Sequence, residues 1–412
     1  MTNSQTQETA WKKQAVLFLV SQNISLFGSS VVGFAIIWYI TMQTSSGIWL
    51  TFATICSMAP QVLISLWAGV WADRHSRKYL IMFADGFTAL STLVLAVVFF
   101  LGHRSLQLLL VVSVLRSIGV GIQTPALGAI YPQLVPREQL TRVQGINQTL
   151  GSVLQLLAPA AGGAVLASFG IEWTFLLDVS TALIAIVIFS LIRVGKVERK
   201  EEPLPLLKEL GQGIRYTFRH PALRRIIVCY ACFFFLMTPA AVLTPLLVQR
   251  SFGNDVWRLP ANEMVWTMGA FLGGVFVSLH GEFREKVRTI ALCLAGFGVT
   301  FGLLGVAKPF WVYLAVMGAA GLFMPVIATA QTVFIQEITE PSMMGRVFSI
   351  LQILSAGSVP FAILLFGPLA DVVPIEGILL ATGALMVLVA VLYRLSNKPA
   401  EEQESAGREK DG

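Results

Sequence analysis

Charge is what this sequence has least of: only 13% of its 412 residues are Asp, Glu, Lys or Arg, about half the share of a soluble protein. Cysteine is scarce too. Its four copies, Cys56, Cys229, Cys232 and Cys293, sit in apolar runs and not in loops, which excludes an extracellular disulfide framework. No polar block is long enough to fold as a separate soluble domain, so a modular soluble enzyme is excluded as well. A phosphate-binding P-loop, a metal-spaced histidine pair and a nucleophile elbow are all missing. No cofactor, no metal and no catalytic residue is therefore expected. What remains is apolar: 55% of the residues are hydrophobic and the mean hydropathy is +0.73. Lipid is the expected solvent of this chain.

A helix needs about 20 apolar residues to cross a bilayer, and that length predicts twelve spans. They fall near 14–41, 48–71, 79–101, 105–131, 141–168, 173–193, 225–249, 260–280, 288–307, 310–336, 344–370 and 375–395. The first run follows a polar stretch and continues past Tyr39 without a small-residue cleavage signal, so a retained span is expected and not a signal peptide.

Cytoplasmic loops of membrane proteins accumulate Lys and Arg. With the N-terminus inside, the inner side holds Lys12, Lys13, Arg74, Arg77, Lys78, Arg137, Arg142, Arg284, Lys286, Arg288, Arg346, Arg394, Lys398, Arg408 and Lys410, and a basic cluster runs from Arg193 to Arg225. The outer side holds only Arg104, Arg250, Arg258 and Lys308. Both termini are thus expected in the cytoplasm. The net charge of +6 is spread over short inner loops and forms no single basic face, so no nucleic-acid partner is expected. The positive residues serve topology and contact with anionic headgroups.

The segment 194–224 divides the chain near its middle. Its part from Leu204 to Phe218 fits an amphipathic helix, with Leu206, Leu207, Leu210 and Ile214 on one stripe, and reads as a linker lying on the membrane. The stretches LVPREQLTRV, with Arg142, and ITEPSMMGRV, with Arg346, match half a chain apart, as expected of a transporter built from two repeats. The expected organisation is an N-terminal six-helix bundle over 1–193, the linker at 194–224, a C-terminal six-helix bundle over 225–396, and a disordered cytoplasmic tail over 397–412.

The loop between the second and third spans reads Gly69-Val-Trp-Ala-Asp73-Arg74-His75-Ser76-Arg77-Lys78. Gly69 permits close helix approach. Asp73 can cap the positive end of a helix in the other half, and Arg77 can hold that carboxylate, so the loop can latch the inner side shut. The plainer alternative is a basic loop that only sets topology. This loop resembles the signature Gly-x-x-x-Asp-Arg-x-Gly-Arg-Arg/Lys of the major facilitator superfamily, with Ser76 in place of the inner glycine. The counterpart after span eight, Gly281-Glu-Phe-Arg284-Glu-Lys286, is degenerate.

Arg116 is the one basic residue deep in a span. An uncompensated Arg at that depth costs several kcal/mol, so it must face a cavity or a carboxylate. Asp85, Asp178 and Glu263 are the candidate partners. At 1.5 Å per residue, Asp178 lies roughly 8 Å from Arg116 in depth and Asp85 roughly 12 Å, which favours Asp178. Asp85 is expected with Arg74 and Arg77 at the inner surface. Asp178 or Glu263 can also load and release a proton, against the alternative of a purely structural anchor.

The stretches GVWADRHSRK, LRSIGVGIQTPALGAIYPQLVPREQLTR, FLLDVSTALIA and GRVFSILQ together resemble the drug:proton antiporters of the superfamily, and within them the bacterial macrolide-efflux group. The run Arg116-Ser-Ile-Gly119-Val-Gly121 resembles the superfamily's fourth-span motif Arg-x-x-x-Gly-x-Gly, with one residue fewer before its first glycine, and the resemblance implies a role in proton coupling. Span five, with Gly145, Pro159, Gly162 and Gly163 as packing residues, partly matches the antiporter pattern, though Leu154 and Ala158 replace two of its glycines. The resemblance implies an all-α membrane protein of twelve helices in two pseudo-symmetric bundles, placed in the bacterial inner membrane. It also implies alternating access and export of amphiphilic small molecules in exchange for protons.

The superfamily's arrangement implies a cavity lined by spans one, four, seven and ten. Here these carry Gln22, Asn23 and Phe27, then Gln123, then Tyr230, Phe233, Phe234 and Met237, then Met317, Met324 and Gln331. Each Phe and Met is equally well core filler. Asn23, Gln123 and Gln331 are the sharper expectation, since uncharged polar groups facing lipid are disfavoured.

Alternatives on the same fold are a lysolipid flippase, a siderophore exporter and a nutrient uptake carrier. A non-transporting receptor or anchor acting through 194–224 is the alternative of another class. The chain is expected to act as a monomer. Cys229-x-x-Cys232 has redox spacing but sits in an apolar span, where packing is the expected role. Asn147-Gln-Thr149 fits a glycosylation acceptor, but the topology places it inside.

Overall fold

The computed structural model describes residues 2–136, 139–192, 194, 206–253, 255–280, 283, 285–340 and 343–408. Among these there is no strand. The first part of the expected linker, Arg284 of the degenerate loop and the last four residues lie outside the described residues.

The helices are α1 (Thr2–Thr44), α2 (Gly47–Arg74), α3 (Arg77–Phe100), α4 (Leu106–Leu134), α5 (Leu140–Phe169), α6 (Ile171–Ser190) and α7 (Leu206–Arg219). They continue with α8 (Pro221–Val242), α9 (Thr244–Phe252), α10 (Arg258–His280), α11 (Lys286–Leu304), α12 (Phe310–Ile338), α13 (Met344–Val372) and α14 (Ile375–Arg408). Among the described residues, eleven apolar helical runs are long enough to cross a membrane. The 23-residue α10 stands at the remaining expected position, its apolar run diluted by Glu263, Trp266 and His280.

Three boundaries differ from expectation. Span seven, expected unbroken over 225–249, is divided at Leu243 into α8 and α9, because Pro245 has no N–H to donate and its ring clashes with the preceding turn. α1 begins at Thr2, ahead of the expected 14. α14 runs on to Arg408 where a disordered tail was expected from 397, since Lys, Ala, Glu and Gln dominate that stretch and all favour helix.

The sides of α3 show what solvent the fold was built for. Its buried face carries Asp85, Thr88, Ser91 and Thr92, while Phe83, Leu90, Val94 and Val97 are more than half exposed. A helix in water has the opposite arrangement. Polar groups turned inward and apolar ones outward is the pattern that hydrocarbon imposes.

The chain gathers into two compact units. Unit 1 comprises Met1–Ser45, Trp49–Glu201 and Asn254–Met264. Within it α1 packs on α5 and α6, and α3 on α4 and α6. One core layer joins Phe18, Ile81, Tyr131 and Phe189, with the Phe18 and Tyr131 rings edge-on at 4.9 Å; another joins Ile40, Leu95, Phe99 and Phe175. Gly170, at φ +93, ends α5 and starts α6 in one residue, a backbone state that glycine adopts without a Cβ penalty.

Unit 2 comprises Ser46–Ile48, Glu202–Gly253 and Val265–Gly412. α11 packs along α14 and α12, α8 along α13 and α14, and α7 against α13 and α8. Lipid tails supply no hydrophobic drive between helices, so association rests on close contact. Gly298 and Gly383 let the α11 and α14 backbones touch, and Gly269 and Gly273 do the same for α10 against Gly318 and Leu322 of α12. Phe297 gathers Phe233, Phe301 and Trp266 around it.

Candidate functional site

Four helices of unit 1 turn polar side chains toward one another. α3 contributes Asp85 and Thr92, seven residues apart, and α4 contributes Arg116 and Gln123, again seven apart. α1 adds Gln22, Ser25 and Ser29, and α6 adds Asp178. Seven residues are two helical turns, about 10 Å of rise. The polar groups therefore stack in two layers.

The first layer is built on an ion pair. Arg116 Nη1 bonds the Asp178 carboxylate at Oδ2, and both residues are buried, at 8% and 1% exposure. The depth count favoured this pairing over the alternatives. Thr92 Oγ1 donates to Asp178 Oδ2 at 3.1 Å, and Ser29 Oγ donates to Oδ1 at 3.1 Å. Arg116 also donates to Thr92 Oγ1 and, through Nη2, to the Ser29 carbonyl at 3.3 Å. An ion pair taken out of water is stable only when its remaining donors and acceptors are matched, and the two hydroxyls do this. Gly28 lets α1 approach so closely that a Cβ there would strike Thr181 and the Asp178 backbone.

The second layer corrects two expectations. Asp85 does not join Arg74 and Arg77 at the surface: it is buried, and its Oδ1 accepts from Ser25 Oγ at 2.8 Å and Gln123 Nε2 at 2.9 Å. Among the described residues it has no cationic partner. The α3 helix turns Asp85 inward on the same face as Thr92, which a depth count along one span does not reveal. Gln123, expected in the substrate cavity, is occupied by Asp85 and by Gln22 Oε1 at 3.3 Å. Asp85→Asn is expected to keep the fold, since an amide oxygen accepts the same two bonds. Asp85→Leu is expected to destabilise by about 1–3 kcal/mol by stranding buried donors. Thermal unfolding in detergent measures both, and equal losses would contradict the assignment.

Where the inner loop is described, its two basic residues reach the backbone of neighbouring helices. Arg77 Nη1 donates to the Ala129 carbonyl in α4 at 2.6 Å, and Lys78 Nζ donates at 2.6 Å to the Ser190 and Ile192 carbonyls that end α6. A cation at a helix C-terminus offsets the macrodipole. These two residues thus tie α3 to the ends of its neighbours. The side chains of Asp73 and Arg74, and the surroundings of Gly69, lie outside the described residues.

The remaining expected residues scatter. Glu263 lies beside Asn262, whose Nδ2 donates to it at 3.3 Å, and it does not join Arg116. Asn23 Nδ2 bonds the Leu19 carbonyl and, at 3.3 Å, Asn147 Oδ1 of α5. Gln331 is 1% exposed, and its amide nitrogen meets no acceptor among the described residues. Phe27, Tyr230, Phe234, Met237 and Met324 are half-buried, Tyr230 and Phe234 lying 4.7 Å apart, whereas Phe233 and Met317 are core. Gly162 packs on Val31 and Gly163 on Pro260 and Trp38, and Pro159 lies within α5. Gly145 is corrected: among the described residues nothing lies within 4 Å of its missing side chain, so it packs on no neighbour within unit 1. A cavity of about 610 Å³ in unit 2 is lined by residues of α8, α13 and α14, apolar but for Ser358, including Cys232, Phe235, Gly357 and Leu388. None of the expected cavity residues lines it.

Ser25, Ser29 and Thr92 escaped the sequence reading, though Thr92 stands two turns from Asp85 and was findable by that spacing. So did Glu172, buried in the first turn of α6 and paired with Arg104 at 2.7 Å. Asp371, at the end of α13, was missed as well. It accepts from Ser46 Oγ at 2.8 Å, from the Gly47 and Ile48 N–H groups at 2.7 and 3.0 Å, and from Arg250 at 2.8 Å.

A helical chain with outward apolar faces and a buried, hydroxyl-supported ion pair defines a multi-pass membrane protein whose polar interior has been retained at a cost. The chain belongs to the transmembrane secretion effector family of the major facilitator superfamily, whose sequence profile matches residues 11–410. It is a transporter and not an enzyme, and it has the superfamily's two-bundle fold. Macrolide efflux protein A of Streptococcus pyogenes is 26% identical over 392 residues, 94% of this chain and 97% of that protein. The staphyloferrin A transporter of Staphylococcus aureus is 22% identical, over 92% of this chain and 96% of its own length. Among solved structures, a bacterial homologue of the human lysosomal transporter Spinster in an inward-facing, unoccupied conformation superposes with a TM-score of 0.67 at 15% identity, covering 95% of this chain and 97% of that one.

Proposed function

We propose that this protein exports hydrophobic or amphiphilic small molecules, macrolide-like compounds among them, across a bacterial inner membrane in exchange for protons. The observation that carries the reading is the Arg116–Asp178 pair, held by Ser29 and Thr92. Protonating Asp178 cancels the charge that holds Arg116 and frees the guanidinium for its other acceptors, so one proton changes the contacts among α1, α3, α4 and α6. A ligand or proton shifts a conformational equilibrium only through such a difference between states. Asp85, two turns away and linked to α1 and α4 through Ser25 and Gln123, is the second proton-carrying candidate. The inner loop from Gly69 to Lys78 is the gate in this reading.

Support for export comes from the macrolide efflux relative, and the scattered inner Lys and Arg support cytoplasmic termini with 194–224 as a linker on the membrane surface. The staphyloferrin A relative favours a second reading, export of a siderophore. Inverted vesicles with an imposed proton gradient decide between directions and cargoes. Uptake of a labelled macrolide that collapses with the gradient is the expected result; movement indifferent to the gradient, or in the opposite direction, would reject proton-coupled export.

A further inference from the structure

α5 has two exposed sides of opposite chemistry. Gln144, Gln148, Ser152 and Gln155 are exposed along one line, and Ile146, Leu150, Val153 and Leu157 along another, the last four at 38–49% exposure. At 3.6 residues per turn the two lines lie about half a turn apart. Val143 and Ala158 form the buried strip between them, against the rest of unit 1. All four residues of the polar line fall in the first half of the membrane-spanning run Val143–Phe169, Gln144 as its second residue.

A helix in hydrocarbon cannot present both sides to lipid, because each exposed amide without a partner costs several kcal/mol there. Gln144, Gln148 and Gln155 have no hydrogen-bond partner among the described residues, and Ser152 reaches only its own helix, at the Gln148 carbonyl. The apolar line is the lipid side. The polar line, roughly 16 Å long at 1.5 Å per residue, has to meet water or a ligand. It is also uncharged: between Val143 and Phe169 there is no Asp, Glu, Lys or Arg. Amides and hydroxyls both donate and accept, so they pair with neutral hydroxyl and carbonyl oxygens. They offer nothing special to a permanent cation.

We infer that Gln144, Gln148, Ser152 and Gln155 of α5 form a water-exposed recognition strip that binds the neutral, oxygen-rich face of the cargo. This rests on the export reading and narrows its substrate class to amphiphiles bearing uncharged hydroxyl and carbonyl groups.

The test has two arms, run in full-length protein whose four native cysteines are replaced by alanine. In membranes opened to both sides, Gln148→Cys and Ser152→Cys are expected to react with a charged, membrane-impermeant maleimide at least tenfold faster than Ile146→Cys and Val153→Cys. A macrolide in excess is expected to slow the first pair. Equal rates on the two sides of α5, or labelling of Gln148→Cys that the macrolide leaves unchanged, would overturn the inference. In the second arm, Gln148→Leu is expected to lower the ratio of macrolide export to export of a hydroxyl-free apolar dye at least tenfold, and Leu157→Ile to leave that ratio unchanged. An unchanged ratio in Gln148→Leu, or an equal fall in Leu157→Ile, would overturn it too. If the parent protein exports neither compound while the macrolide still protects Gln148→Cys, the export reading fails and the strip stands.

Discussion

Arg116→Ala is expected to abolish gradient-driven export and to lower stability by about 3–5 kcal/mol, the cost of leaving one member of a buried pair uncompensated. The loss leaves the Asp178 carboxylate, 1% exposed, with only the Ser29 and Thr92 hydroxyls. Asp178→Asn strands the guanidinium in the same way but keeps Thr92 Oγ1 and the Ser29 carbonyl as acceptors, so a smaller stability loss and an equal transport loss are expected. Replacing both partners together, Arg116→Met with Asp178→Leu, separates structure from coupling. Well-packed apolar replacements of a buried pair are often neutral or stabilising, so the double variant is expected to regain thermal stability in detergent and remain unable to export. Normal export by either single variant, or restored export by the double, would show that the pair is a structural anchor only.

Gly269→Leu is expected to be the most damaging single change in unit 2. A Cβ at Gly269 would strike the Gly318 carbonyl oxygen, and its next contacts are Gly318 backbone atoms at 3.0 and 3.2 Å. Backbone cannot rotate away as a side chain can, so α10 and α12 have to separate along their length. Overpacking costs about 1–3 kcal/mol where side chains can adjust, and more where they cannot. Gly274, five residues along the same helix, has nothing within 4 Å, and Gly274→Leu is expected to be tolerated, with better helix propensity by about 1 kcal/mol. Melting curves and membrane yield of the two variants measure the contrast. Similar losses in both would mean that helix propensity, and not backbone contact, governs these glycines.

The two glycines show how much of the site was readable in advance. Both lie in one apolar run and look alike in sequence, as do Gly145 and Gly162 in α5, yet one of each pair touches a neighbouring backbone and the other meets open space. Asp85 makes the same point among polar residues. Its depth suggested the inner surface, but rotation about the α3 axis decided its partner, and rotation depends on which neighbours the helix packs against. The missing signal for Thr92 and Ser29 was of this kind: a hydroxyl in a span bonds its own helix backbone as readily as a distant carboxylate, as Ser91 does with the Phe87 carbonyl.

The amino-acid order alone determined that this chain lives in lipid, where its spans fall and that Arg116 needs a carboxylate. Those follow from transfer free energies that each segment carries wherever it sits. Tertiary structure decided that the carboxylate is Asp178, that Asp85 faces Gln123, that span seven breaks at Leu243, and that α5 keeps a polar side which no described neighbour in unit 1 covers. Such choices depend on how helices far apart in the chain rotate against one another. In a bilayer, where apolar surface is neutral toward its solvent, that rotation is set by glycine contacts and buried polar bonds, which a single segment does not contain.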